Sequence, residues 1–185
     1  MQIILKLSFI LRLFVSKSFL DYFFPTLNLE MMKKILILGI GNVLMGDKGI
    51  GVHLIKALEK KSLPDEVDIL DGGTGGFHLM AYFQEYEYVI LIDAAMDNNP
   101  AGTVSVIETG FASDFPKSLS AHDIGLKDMI ESITILGKAP KIYLITVTID
   151  SIQSMKMDLS DKVESAIPNV LQKIDELIYL INIRS

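Results

Sequence analysis

The sequence has no cysteine among its 185 residues and only three histidines. The absence of cysteine excludes disulfide scaffolds, thiolate metal sites and cysteine nucleophiles, and it fits a reducing compartment. A metal site with nitrogen ligands would have to use His53, His78 or His122. For His53 and His78, a solvated or packed side chain is the better interpretation than a metal ligand.

Positive charge is also scarce, since 17 Lys and Arg stand against 23 Asp and Glu, for a formal net charge of −6. Binding along a phosphate backbone needs a basic face, so this balance argues against a nucleic-acid-binding protein. Half of the residues are hydrophobic and 22% are charged, which is the composition of a globular protein. The length suits one domain with a single core.

A long uncharged hydrophobic run is missing as well. Residues 1–30 are apolar, but Lys6, Arg12 and Lys17 interrupt them, whereas a spanning helix needs about 20 nearly uncharged residues. No signal-peptide cleavage site stands out. We interpret residues 1–30 as an N-terminal extension, with translation starting at Met31 or Met32, and residues 31–185 as the domain. The alternative is a weak membrane-surface helix, which would be the only route to membrane contact.

After this segment, apolar runs of strand length alternate with segments of helical periodicity. The predicted strands are 35–40, 67–70, 88–92, 103–107 and 142–149, and the predicted helices begin at residue 50 and cover 77–85, 123–136 and 163–181. Pro168 should bend the last helix. This order predicts an α/β fold: a single three-layer domain whose twisted, mostly parallel sheet of about five strands has helices on both faces. Ligands bind beyond the carboxyl ends of such strands, so function is expected in the loops after residues 40, 71 and 93 and near His122.

The first of these loops is rich in glycine but matches no nucleotide motif. The third glycine of a dinucleotide fingerprint would fall at Leu44, and Asp47-Lys48-Gly49 is not the end of a P-loop. Both departures disfavour a nucleotide-binding module. A simpler interpretation is that Gly39 and Gly41 permit a tight turn while Asp47 caps the next helix.

Three other features have both a functional and a structural interpretation. Asp93 follows a buried strand, where a carboxylate is costly without a partner, so it either serves a cation or a proton transfer or braces a loop. The loop Asp71–Gly76 offers open backbone amides to a peptide or an anion, or is simply a flexible connection. His122 lies at a predicted helix start and could also be a surface histidine.

Taken in order, these loops resemble the maturation proteases of nickel-iron hydrogenases. The segments that carry the resemblance are Gly41-Asn42-x-Leu44-x-x-Asp47-x-Gly49-x-Gly51, Asp71-Gly72-Gly73-Thr74, Asp93-Ala94 and Ser120-x-His122-x-x-Gly125-Leu126. The similarity spans about residues 33–181. It implies a twisted sheet between helices and an endopeptidase that recognises nickel carried by a hydrogenase large-subunit precursor. Such an enzyme cuts just beyond the last metal-binding motif and releases a short C-terminal tail.

The resemblance also implies site residues. Asp93 and His122 match two of the three positions associated with the metal, whereas the third, normally acidic, is Lys48. An ammonium group has no lone pair for a metal. Asp47 could replace the missing ligand, the substrate could supply the nickel ligands, or the chain could be a degenerate relative in which Lys48 pairs with Asp93.

Our hypothesis is therefore that Asp93 and His122 hold or sense nickel, and that the metal or Asp47 activates a water. Substrate binding is assigned to four loop residues, namely Asn42, Gly72, Gly73 and Thr74. The alternative is a non-catalytic, metal-sensing binder of the precursor. The family expectation is a cytoplasmic monomer.

Overall fold

The computed structural model describes residues 33–109, 123–137 and 139–184. The predicted N-terminal extension, the loop before the third helix and His122 lie outside these ranges. The strands are β1 (Lys33–Gly39), β2 (Val67–Asp71), β3 (Tyr86–Ala95), β4 (Val104–Thr109) and β5 (Lys141–Thr148). The helices are α1 (Ile50–Leu58), α2 (Met80–Glu85), α3 (Asp123–Ile135), α4 (Asp161–Glu164) and α5 (Ile167–Arg184). Single 3₁₀ turns, Gly46–Gly49 and Phe77–Leu79, precede α1 and α2.

The five strands form one sheet in the order β2-β1-β3-β5-β4. The pairs β1–β2, β1–β3 and β3–β5 are parallel, and only the edge strand β4 runs antiparallel to its neighbour β5. The predicted mostly parallel α/β sheet is therefore confirmed. The carboxyl ends of β1, β2, β3 and β5 meet at one edge, where ligands bind in folds of this kind.

Helices cover both faces of the sheet because successive strand residues point to opposite sides. On one side Ile35 and Ile37 join a core completed by α1, α4 and α5, and on the other Leu36 and Leu38 join a core completed by α2 and α3. The central strands are buried on both faces and read as continuous apolar runs. Among the described residues, none of the helices is long and apolar enough to span a membrane.

The prediction of one bent C-terminal helix is wrong. Helix α4 ends at Glu164, and α5 begins separately at Ile167. Pro168 thus lies in the first turn of α5, where its missing N–H would have no partner within the helix anyway, so it does not bend the helix. Helix α3 ends at Ile135, and Gly137 follows with φ of 70°, as predicted for its stop.

Candidate functional site

The loops at the carboxyl edge of the sheet are joined by backbone hydrogen bonds. The Ile40 N–H donates to the Ile92 carbonyl at 2.8 Å, which joins the loop after β1 to β3. The Gly41 N–H donates to the Gly73 carbonyl at 2.7 Å, which joins it to the loop after β2. The loop after β1 is therefore held between β3 and the loop after β2.

Two glycines allow the polypeptide to pack closely at this edge. A Cβ on Gly51 would overlap the Ile40 carbonyl oxygen and would lie 2.6 Å from that of Ile92. A Cβ on Gly41 would overlap the Lys48 carbonyl oxygen. Real Cβ atoms do not approach backbone atoms so closely, so only glycine lets the start of α1 lie directly against β1 and β3. This packing brings the turn Gly46–Gly49 next to β3.

Asp93 is a buried carboxylate near the carboxyl end of the central strand β3. Its residue is 1% exposed and is paired in register with Thr146 of β5. Its Oδ1 accepts a hydrogen bond from the Ala94 N–H at 2.7 Å. The strand continues to Ala95, three residues beyond its predicted end at residue 92, so Asp93 belongs to the strand and not to the loop that follows it. Its backbone is paired with β5, and the preceding residue, Ile92, is paired with both β1 and β5, which suits a preorganised site.

Asp47 is equally buried, at 1% exposure, but its carboxylate faces the loop between β5 and α4. Its Oδ1 accepts the Ser160 N–H at 2.6 Å, and its Oδ2 accepts the Ser160 hydroxyl at 2.9 Å and the Gln153 side-chain amide at 3.0 Å. The interpretation of Asp47 as a helix cap is wrong, because α1 has Gly49 at its N-cap and no side chain caps it. Asp47 instead joins two loops that are far apart in sequence.

Lys48, the residue that departs from the family pattern, is also buried, at 4% exposure. It follows Asp47 in the 3₁₀ turn, where successive side chains are about 120° apart around the axis. Lys48 therefore points to a different side of the turn from Asp47. The turn itself contacts β3, the strand that contains Asp93.

The predicted substrate-binding residues lie in the loops after β1 and β2. The Asn42 Oδ1 accepts the Leu44 N–H at 3.0 Å, and the Asp71 Oδ1 accepts the Gly73 N–H at 2.8 Å, so each loop is held by an Asx-type turn. Gly73 has φ of 53°, and nothing lies within 4 Å of the position a Cβ would occupy. Thr74 is exposed. The loop thus has room for a bound chain beside it, and its assignment to substrate binding stays a prediction.

Of the predicted site residues, the structure brings Asp47, Lys48 and Asp93 to the same edge of the sheet, together with the loops that contain Asn42 and Gly72. His122 lies outside the described residues, directly before α3. Within the described part of the chain, no three or more His, Cys, Asp or Glu side chains are grouped so that they could hold a metal ion.

The loop of residues 149–160 belongs to the same edge and was not predicted to contribute. The Gly46 N–H donates to the Lys156 carbonyl at 2.6 Å, and the His53 Nε2 is 3.1 Å from the Met157 carbonyl oxygen. His53 is therefore a packed histidine that helps to hold this loop, in agreement with the prediction of a solvated or packed side chain. The position of the loop, after the carboxyl end of β5, was the signal that could have identified it.

Comparisons with known proteins identify the family of this chain. The family described as hydrogenase maturation protease matches residues 52–176. The hydrogenase 2 maturation protease of Escherichia coli K12 is 33% identical over 144 residues, which cover 76% of this chain and 88% of that protein.

Two solved structures extend the comparison to the fold. The hydrogenase maturating endopeptidase HybD from E. coli has a TM-score of 0.71 at 34% identity, covering 76% of this chain and 89% of that one. The [NiFe] hydrogenase maturation protease HybD from Thermococcus kodakarensis has a TM-score of 0.65 at 26% identity, covering 78% and 98%. The resemblance drawn from the loop motifs is confirmed, and the chain belongs to the hydrogenase maturation protease family, a family of peptidases.

Proposed function

We propose that this protein is the endopeptidase that removes the C-terminal tail of a nickel-loaded [NiFe] hydrogenase large-subunit precursor. The observation that supports this most directly is the buried Asp93 carboxylate at the carboxyl edge of the sheet, bordered by the glycine loops of the family pattern. The E. coli relatives are named as a maturation protease and a maturating endopeptidase. The hydrogenase precursor is accordingly the proposed partner and substrate.

Nickel enters this proposal as part of the substrate. Asp93 and His122 are the groups proposed to contact it, since carboxylate and imidazole are both metal ligands and both residues match metal-associated positions of the family pattern. Recognition of the metal would position the precursor so that the bond beyond its metal-binding motif lies at this edge of the sheet. A protease that senses the metal in this way cuts only a precursor that already holds nickel.

The substrate segment is proposed to lie along the loop of Gly72, Gly73 and Thr74, beside Asn42. Glycines at these positions leave the backbone open to an approaching chain. Gly72 is buried against β1, whereas Thr74 is exposed, so the loop runs from the floor of the site to its rim. Backbone groups along such a path can pair with those of an extended peptide.

Hydrolysis needs a water to attack the scissile carbonyl, and a proton to reach the leaving amine. Two activators were predicted for that water, the metal or Asp47. The geometry favours the substrate's metal, because both oxygens of Asp47 already accept hydrogen bonds from Gln153 and Ser160. A group of the protein that receives or delivers a proton must be within hydrogen-bond reach of the reacting atoms. We assign this proton transfer to Asp93, whose carboxylate lies near the carboxyl end of β3.

Incubation of the purified full chain with nickel-loaded precursor, followed by intact-mass measurement, tests the proposal. We expect nickel-dependent loss of the C-terminal tail, and no shortening of metal-free precursor. Asp93→Asn, which keeps the shape of the side chain but not its charge, should abolish most of the cleavage. Asp65→Asn is the matched control, because Asp65 is exposed in the loop before β2, at the opposite edge of the sheet.

Lys48 gives the test a second arm. If the natural protein does not cut and Lys48→Glu does, the chain is a degenerate relative that has lost its reaction. If the natural protein cuts, Lys48 is compatible with catalysis. An Asp93→Asn variant that processes precursor at the normal rate would refute the assignment of Asp93.

A further inference from the structure

We infer that Asp47 is a positioning residue, and that Gln153 and Ser160 hold it so that the turn Gly46–Gly49 keeps its place beside β3. The inference deepens the proposed function and rests on it, because the reaction for which the turn is positioned is cleavage of the precursor. It assigns a role to the loop of residues 149–160, which the motif comparison left without one.

The hydrogen bonds to Asp47 leave little of its carboxylate for chemistry. An ionised carboxylate has about four lone-pair sites. Three are directed to donors of the protein: the backbone N–H of Ser160, the hydroxyl of Ser160 and the amide of Gln153. With the residue 1% exposed, a water has little access to what remains. The carboxylate is therefore suited to anchoring, whereas a general base must reach the proton that it removes.

The contact between Gln153 and Asp47 is reciprocal, and Gly46 makes room for it. Gln153 donates its Nε2 to the carboxylate and accepts the Asp47 N–H on its Oε1, each at 3.0 Å. A Cβ on Gly46 would overlap that Oε1 atom, and Gly46 has φ of 56°, which favours glycine. The Gly46 N–H also reaches the Lys156 carbonyl. The two loops thus fit each other through both backbone and side chains.

This arrangement positions the side of the turn that contains Lys48. Lys48 follows Asp47, and its carbonyl packs directly on Gly41, whose own N–H bonds to the Gly73 carbonyl. A displacement of Asp47 would pass along this short, close-packed path to Lys48 and to the end of β1. Misplacement of reacting groups by about 1 Å can lower a rate about a hundredfold.

The test measures kcat and KM for cleavage of the nickel-loaded precursor by full-length Gln153→Ala and Ser160→Ala. We expect kcat to fall about tenfold to a hundredfold, with KM within about twofold of the natural value. Ser160→Thr should restore most of the rate, because threonine keeps both the hydroxyl and the backbone N–H. Gln172→Ala and Ser165→Ala are matched controls on exposed positions of the C-terminal helical region, and they should leave both constants unchanged.

A double-mutant cycle separates positioning from direct chemistry. If Asp47 acts as a positioning residue held by Gln153 and Ser160, the double variant Asp47→Asn/Gln153→Ala should have a kcat only slightly below that of the more damaging single variant. If Asp47 itself removes the proton, Asp47→Asn should lose nearly all activity, Gln153→Ala and Ser160→Ala should lose little, and the effects should add. That second pattern would overturn the inference.

Hydrogen exchange provides a readout that does not depend on cleavage. Gln153→Ala should accelerate exchange of the Asp47 amide, while the Ile37 amide in β1 should exchange as before. If the natural protein cuts no precursor, the proposed function fails. Hydrogen exchange still tests whether the loop of residues 149–160 holds Asp47. Unchanged protection of Asp47 in both Gln153→Ala and Ser160→Ala would refute it.

Discussion

Gly51→Ala should destabilise the protein, because it places a methyl group where α1 meets the two central strands. The new Cβ would overlap the Ile40 carbonyl oxygen, and it would lie 2.6 Å from the Ile92 oxygen and 2.7 Å from the Ile40 nitrogen. All three neighbours are backbone atoms in or beside the sheet, so no side chain can turn away to make room. The start of α1 would have to move away from the sheet.

The magnitude follows from two opposing effects. Forcing a methyl group into a well-packed core costs about 1–3 kcal/mol, and the rigid backbone here places this site near the upper end. Alanine is better than glycine within a helix by about 1 kcal/mol. The net loss in the free energy of unfolding should be about 2 kcal/mol, which for a domain of this size lowers Tm by roughly 4–8 °C.

Urea and thermal unfolding of the purified protein measure this change directly. Ala57→Gly, at a half-buried position of the same helix, is the control for the helix propensity, and it should cost about 1 kcal/mol. A Gly51→Ala variant that unfolds at the same temperature as the natural protein, or at a higher one, would refute the close contact of α1 with β1 and β3.

Two further changes should be visible in the urea midpoint. Met155 is 93% exposed with φ of 61°, so Met155→Gly should relieve backbone strain and stabilise the protein by about 0.5 kcal/mol, after the greater flexibility of glycine in the unfolded chain is counted; a lower midpoint would contradict this. Burial alone would raise the pKa of Asp97, but hydrogen bonds from the Thr148 hydroxyl and from Asn99 hold it below its usual value of 3.8. Because the folded-state pKa is lowered, this stabilisation is present above about pH 4 and is lost as the pH falls through the folded-state value. Asp97→Asn should therefore lose less stability than the natural protein on acidification, and equal losses would count against these hydrogen bonds.

The sheet could be predicted because its strands are buried on both faces. A parallel strand with helices above and below needs apolar residues at every position, so Ile35–Leu38 and Val89–Ile92 read as continuous runs. The glycine loops could be predicted because tight packing at a strand end leaves glycine as the only residue that fits. Both signals lie within short segments, so both can be recognised in a single sequence.

The break between α4 and α5 could not be read in the same way. Helical periodicity continues from Val163 through Val170, because both residues face the same core on either side of the break. The backbone turns at Ser165 and Ala166, which are ordinary helix residues with no local stop signal. Only packing in three dimensions distinguishes two helices from one bent helix here.

The position of the loop after β5 was a usable signal, but the contacts of Gln153 and Ser160 with Asp47 could not be predicted, for a related reason. Gln153 and Ser160 lie 106 and 113 residues beyond Asp47, and neither belongs to a recognisable motif. Their role depends on the sheet, which brings the carboxyl ends of β1 and β5 to the same edge. A residue that acts by holding another residue needs only a suitable donor at the right place, so residue type alone does not reveal it.

For Lys48, the sequence reveals the departure from the family pattern, and the structure shows that the residue is buried. A lysine that is 4% exposed must have its charge compensated, because burying an uncompensated ammonium costs several kcal/mol. The turn that contains it contacts β3, the strand of the buried Asp93 carboxylate. A positive charge at this edge lowers the attraction for a metal cation that Asp93 alone would provide. Under the proposed function, recognition of the precursor's nickel should therefore depend more heavily on His122 and on the ligands that the precursor itself provides. A substrate that presents its metal already coordinated suits such a site better than a hydrated ion does.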